Sequence, residues 1–260
     1  MWLGVIGGSG LYKTKILKES DEVSCVTPFG QALVSVGQCG GKKVAFLARH
    51  GKDHSLPPHL VNYRANLWAL SQMGVGRVLA TAAVGSLRED YRPGDFVLLD
   101  QFIDFTRSRP YTFFDEGGVR HVDMTEPYCP GLNDLVADTA STLDLTVHRG
   151  GTYICTEGPR FETPAEIRMF RSWGADLVGM TNVPEVVLAR EAGLCYSTVA
   201  IVTNMAAGIN QDQLSHDEVV QVMAQAQSQL EDLIEQTIAR LDRVPPCRCP
   251  ARPRAVGEES

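Results

Sequence analysis

Clustered positive charge is the first thing this sequence lacks. Its 24 Lys and Arg are outnumbered by 31 Asp and Glu, for a formal charge of -7. A nucleic-acid groove neutralises backbone phosphates with grouped cations, so that class of partner is excluded and a small-molecule partner is expected. No apolar run approaches the roughly 18 residues of a membrane span. Met1 leads straight into WLGVIGGSGL, with neither a basic stretch nor a cleavage site, so a cytoplasmic protein without membrane contact is expected. The C-x-x-C pairing of a structural zinc site is missing too, because the seven cysteines stand scattered at 25, 39, 129, 155, 195, 247 and 249. That spacing predicts plain buried thiols and no metal site. The exception is PPCRCP, where Cys247 and Cys249 sit in a Pro- and Arg-rich tail that reads either as a redox clasp or as an inert segment.

What is present is enough apolar residue, 44% of 260, for one large core. Segments rich in Val, Ile, Leu and Ala recur between turn signals: WLGVIG, QALVSVG, KKVAFLA, RVLATAAVG, GDFVLLDQFID, GTYICTEG, ADLVGMT and YSTVAIVTN. They are near-continuous rather than alternating, as strands buried on both faces are. Helical periods fall between them at Leu60 to Met73, Gly131 to Leu143, Pro164 to Trp173, Pro184 to Ala192 and Ser215 to Arg243. Strand and helix alternate, so the predicted class is α/β, a single domain over 1–243 with a flexible tail over 244–260.

Three segments carry anion chemistry. In GVIGGSGL the glycines permit close backbone approach, but Gly8 and Gly10 are followed by Lys13, so the G-x-G-x-x-G dinucleotide spacing fails and no nicotinamide or flavin is expected. The turn instead suits aiming N–H groups and the Ser9 hydroxyl at an anion, or is a tight turn only. ARHG places Arg49 and His50 at the end of a buried strand, where α/β proteins bind ligands and where a guanidinium suits a tetrahedral oxyanion. In TAAVGSLRED the small Ala82 and Ala83 precede Gly85, so main-chain amides are able to approach a ligand.

With GVIGGSGL, ARHG, VNYRANLWAL, GSLRED, EGPRFET, GMTNVPEVVLAREAG and VTN in this order, the chain resembles the trimeric purine nucleoside phosphorylase and methylthioadenosine phosphorylase family over roughly Gly4 to Leu241. The resemblance implies a distorted mixed β-sheet or barrel flanked by helices, a homotrimer, no metal or cofactor, and inorganic phosphate as co-substrate in reversible phosphorolysis of a purine nucleoside. Carried over by position, Ser9, Arg49, His50, Ala82, Ala83 and Thr181 make the phosphate site and Met180 the ribose contact. Phe161 faces the base, and His121 is the residue a neighbouring subunit lends to the pocket. Ala82 stands where the methylthioadenosine branch tends to have Thr.

The purine is read from Phe161, Glu162, Asn204 and Ala206. An aromatic face stacks on the heterocycle, worth about 1 to 3 kcal/mol per base, while Glu162 accepts a proton from its edge. A 6-oxopurine presents N1–H and O6; adenine presents the reverse, and a carboxylate repels its bare N1. The adenine-preferring branch ends its last strand in two acids, where this chain has Asn204 and Ala206. An amide donates to O6 and accepts N7–H, so inosine and guanosine are expected over adenosine, with Asn204, His50 and Arg49 carrying the catalysis. Read singly, Asn204 is also a strand-end cap and Glu162 a helix N-terminal acid. His216, in QLSHDEVV, resembles the histidine that bonds a ribose 5'-hydroxyl, or else belongs to a helix start rich in capping groups. A 5'-methylthio substrate, methylthioinosine or methylthioadenosine, is the alternative.

Overall fold

The computed structural model describes residues 2–8, 11, 16–51, 55–116, 118–210 and 215–249, apart from the side chain of His216, and all structural statements concern these. Strands β1 (Trp2–Gly7), β2 (Lys18–Thr27), β3 (Gly30–Cys39) and β4 (Lys42–Ala48) come first, then helix α1 (Tyr63–Gln72) and the long strand β5 (Val75–Ser86). β6 (Phe96–Leu98) and β7 (Gln101–Phe105) precede α2 (Pro130–Thr142). β8 (Val147–Arg149) and β9 (Thr152–Thr156) precede α3 (Pro164–Ser172). β10 (Leu177–Gly179) and α4 (Asn182–Glu191) lead to β11 (Cys195–Met205) and α5 (His216–Ala239).

The centre of the sheet is parallel, in the order β4-β1-β5-β11. Its strands read as continuous apolar runs because both faces are covered. In β11, Val199 and Ile201 join the cluster packed under α2 and α5, while Ala200 and Val202 join the one under α1 and α4. Antiparallel pairings surround this centre: β3 with β2 and β4, β10 with the end of β5, and β6 with β11. The expected mixed, distorted sheet is therefore what forms. Local chemistry sets the helix starts. The Asn62 side chain accepts from Ala65 N at 3.1 Å, and Thr163 and Glu166 form a reciprocal capping box at α3.

Three details differ from the pattern of apolar runs. GDFVLLDQFID is two strands, β6 and β7, which pair with different neighbours. Strand β2, KESDEVSCVT, has no apolar run because it lies mostly exposed at the sheet edge and is held by pairing with β3. Residues 244–249, at the start of the expected flexible tail, lie against the core, with Val244, Cys247 and Cys249 packed on the cluster under α2 and α5. Residues 250–260 fall outside the described residues. Among the described residues no helix is long and apolar enough to cross a membrane.

One irregularity matters for the site. Strand β11 pairs with β5 in register up to Val202 and resumes at Asn204 opposite Gly85, so Thr203 is an extra residue. A bulge of this kind re-aims side chains at a strand end. Here it turns two consecutive residues, Thr203 and Asn204, to the same cavity, which a regular strand forbids.

Candidate active site

The carboxyl ends of β4, β5, β10 and β11 open onto one cavity of about 440 Å³, a size suited to a small organic ligand. One wall is apolar and aromatic. Phe161, still 39% exposed, lines it together with Val178 and Met180. The opposite chemistry comes from Glu162, Thr203 and Asn204. Glu162 is buried and its Oε1 accepts from Thr156 Oγ1 at 2.7 Å. The amide of Asn204 accepts from Thr203 Oγ1 at 2.9 Å and donates to the Met205 carbonyl at 3.0 Å. An amide has two donors and two acceptor positions, so a donor and an acceptor remain in the inventory for a ligand.

His50, Ala83 and Thr181, the described residues expected to meet phosphate, line the same cavity together with Ser55. His50 Nδ1 lies 2.8 Å from the Leu56 carbonyl. A carbonyl only accepts, so Nδ1 carries a proton. Thr181 stands at the start of α4 without capping it.

Arg49 is placed differently from the bare phosphate ligand that the sequence suggests. Its side chain is fully buried behind the cavity wall, where Nε and Nη2 donate to the two carboxylate oxygens of Glu185 at 2.6 and 2.7 Å and Nη1 donates to the Thr81 carbonyl at 2.8 Å. Tyr196 OH donates to the same carboxylate at 2.6 Å. Burial pushes the guanidinium pKa down, and Glu185 more than reverses that. Gly8, just after β1, lies against this pair: a Cβ there would lie 2.9 Å from Arg49 Nη1 and 2.7 Å from the Thr81 carbonyl. Only glycine fits there, which ties the residue after β1 to the arginine after β4.

Of the remaining sequence-predicted residues, Ala206 lines the cavity, whereas the Ala82 side chain packs into the core on the other face of β5. His121 is exposed on the segment between β7 and α2, outside this cavity. Ser9 and the side chain of His216 lie outside the described residues, though the first turn of α5 contributes Val219 to the wall. Sequence reasoning missed Glu185, Thr203 and Arg109. A lone acid amid the apolar residues of VPEVVLA is the signal for Glu185, because a buried carboxylate requires a partner. Arg109 has no such signal. It donates from Nη1 to the carbonyls of Met180 and Val183 at 2.7 and 2.8 Å, and from Nη2 to those of Thr156 and Glu157 at 3.2 and 2.7 Å. It thereby joins the segment leading to Glu162 to the one bearing Met180 and Thr181.

Burial raises the Glu162 carboxyl pKa above its ordinary 4.5, against the lowering effect of the Thr156 hydrogen bond. A carboxyl whose folded-state pKa is raised favours the fold when protonated, and that contribution is lost as pH rises through the raised value. Glu162→Gln, which keeps an acceptor for Thr156, is accordingly expected to raise Tm at pH 7. The gain should vanish as pH falls below about 4.5, where folded and unfolded carboxyls both become protonated. A pH series of melting curves for both proteins checks this, and equal Tm at pH 7 would count against it.

This fold and site place the chain within a known class: it belongs to the phosphorylase superfamily, whose model matches residues 3–239. It is 56% identical over 96% of both chains to a probable 6-oxopurine nucleoside phosphorylase of Moorella thermoacetica. It is 49% identical over 95% of both chains to an S-methyl-5'-thioadenosine phosphorylase of Thermofilum pendens. Among solved structures, methylthioadenosine phosphorylase from Schistosoma mansoni in complex with adenine matches with a TM-score of 0.90 at 36% identity, covering 92% of this chain and 91% of that one.

Proposed function

We propose that the chain is a purine nucleoside phosphorylase for 6-oxopurine nucleosides, inosine and guanosine, converting them reversibly with inorganic phosphate to free base and pentose 1-phosphate. The observation that carries this reading is the convergence of Glu162 and Asn204 beside Phe161 in one cavity. A carboxylate and an amide present an acceptor for N1–H and a donor for O6, with a further acceptor for N7–H as the base departs. Adenine inverts the first two of these requirements, and a mismatch in a buried hydrogen-bonding site rejects substrates by orders of magnitude. The name of the Moorella relative points the same way.

In the proposed reaction, phosphate attacks C1' while the bond to N9 breaks through a state with oxocarbenium character. The chain supplies position and electrostatics. The His50 ring, the Ala83 backbone and Thr181 hydrogen-bond the phosphate, and the Ser9 hydroxyl and the Arg49 charge complete the anion site. Developing negative charge on the base is met by Asn204. The enzyme acts in the cytoplasm as a homotrimer, with His121 reaching a neighbouring protomer's pocket.

A second reading concerns only the sugar's 5' end. Val219 gives the wall an apolar residue from α5, which suits a 5'-methylthio group better than a hydroxyl. One experiment tests both: release of base from inosine with and without phosphate, beside adenosine, methylthioinosine and methylthioadenosine. Phosphate-dependent hypoxanthine release, at least tenfold faster than adenine release, is expected. Base release without phosphate, or faster turnover of adenosine, would overturn the assignment. A methylthioinosine rate above that of inosine would move it to the second reading.

A further inference from the structure

Four cysteines remote in sequence meet at the edge of the core opposite the cavity's strand ends. Cys195 opens β11, and the backbone N–H of Cys129 donates to the carbonyl of the next residue, Tyr196, at 2.7 Å, which brings the two side chains together. The C-terminal segment then crosses the start of α2. Gly131 permits the crossing, since a Cβ there would lie 2.5 Å from the Pro245 carbonyl. That crossing delivers Cys247 and Cys249. All four sulfurs lie within 4.8 Å of one another, and those of Cys195 and Cys247 are 3.6 Å apart.

This is the arrangement of ligands about one metal ion. Zn–S bonds of about 2.3 Å in a tetrahedron set neighbouring sulfurs about 3.8 Å apart. Four soft thiolates with no histidine, carboxylate or open position select a closed, structural zinc site. We propose that Cys129, Cys195, Cys247 and Cys249 bind a structural zinc ion that fastens residues 244–249 to α2 and β11. Binding exchanges protons without redox change: four thiols release four protons, Zn²⁺ enters, and the site keeps two negative charges. The Leu132 backbone N–H, 3.4 Å from the Cys129 sulfur at the start of α2, opposes that charge. Cys129 is buried and the other three are half-buried.

The zinc sits at the opposite end of β11 from Thr203 and Asn204, so its role is to hold the chain's end and not to react. The test uses the untagged full-length chain, purified in reducing buffer without chelator. Elemental analysis is expected to find about one zinc per chain, and cobalt(II) exchange to give thiolate-to-metal charge transfer with tetrahedral d–d bands. The double variant Cys247→Ser/Cys249→Ser, altered only in the terminal segment, is expected to lose the metal and melt earlier while inosine turnover at low temperature stays within about twofold. A metal-free chain with four alkylatable thiols would overturn the proposal. So would an iron-loaded chain, or a metal-free one about four daltons lighter, with the sulfurs paired as two disulfides.

Discussion

Asn204→Asp is expected to cut kcat/KM for inosine a hundredfold or more while improving the relative rate on 6-aminopurine nucleosides. The amide's Nδ2 donates to the Met205 carbonyl and its Oδ1 accepts from Thr203, fixing its plane at the bulge in β11. An aspartate keeps the Thr203 contact but has no N–H when ionised. It therefore meets the base's O6 with a second negative charge, and the Met205 carbonyl loses its donor. One buried group left unpaired costs about 1 to 3 kcal/mol. A hundredfold loss needs only about 2.7 kcal/mol, which two unpaired acceptors and like-charge repulsion supply together. With a 6-amino group the new carboxylate gains a partner, so the ratio of adenosine to inosine rates should rise. Asn204→Ala separates the terms, because it removes the donor without adding charge, and it should fall between wild type and Asn204→Asp on inosine. Steady-state rates on the two nucleosides, with Tm monitored, decide the matter. Inosine turnover within threefold of wild type in Asn204→Asp would remove Asn204 from the mechanism.

Much of this is legible in the sequence. The buried parallel strands announced themselves because apolar cover on both faces leaves an uninterrupted run, and the helices between them by their period. The glycine turn, Arg49, His50, Phe161, Glu162 and Asn204 stood out because each is expensive or useless in a plain core. What stayed hidden was set by register and by contacts remote in sequence. Nothing in VTNMAAG says that Thr203 is an extra residue in the ladder, yet that bulge turns Thr203 and Asn204 to one side. Strand β2 carries no apolar signal because its stability comes from one neighbour at the sheet edge. The cysteine cluster escapes a spacing rule because only Cys247 and Cys249 are local to one another. Arg109 is read from sequence as one charged residue among many, and only the fold shows four carbonyls gathered around it.

Arg49 and Glu185 pose the question of how much of an anion motif read from sequence is stability and how much is chemistry, and Glu185→Ala gives the largest expected effect on the fold. Both side chains are fully buried and joined by two short hydrogen bonds. Removing one partner of such a pair costs about 3 to 5 kcal/mol, because the other charge is left in the core without compensation. For a chain of this size each kcal/mol lowers Tm by about 2 to 4 °C, so a drop of roughly 6 to 20 °C is expected. Glu185→Gln keeps the shape and two hydrogen-bonding positions, and should lose less. The double variant Arg49→Met/Glu185→Leu removes both charges at similar volume and is expected to recover much of the Tm lost by Glu185→Ala. Function then separates from folding. If the guanidinium acts through the wall on phosphate, the double variant will be folded but will need far more phosphate, with KM for phosphate raised at least tenfold and KM for inosine little changed. A double variant with wild-type phosphate dependence would leave Arg49 as a structural counter-ion alone, and the anion site would then rest on the neutral donors of the glycine turn, Ala83 and Thr181 together with His50. A Glu185→Ala protein melting where wild type does would show instead that water or backbone motion reaches the guanidinium, and that the pair is not the closed, dry contact seen behind the cavity wall.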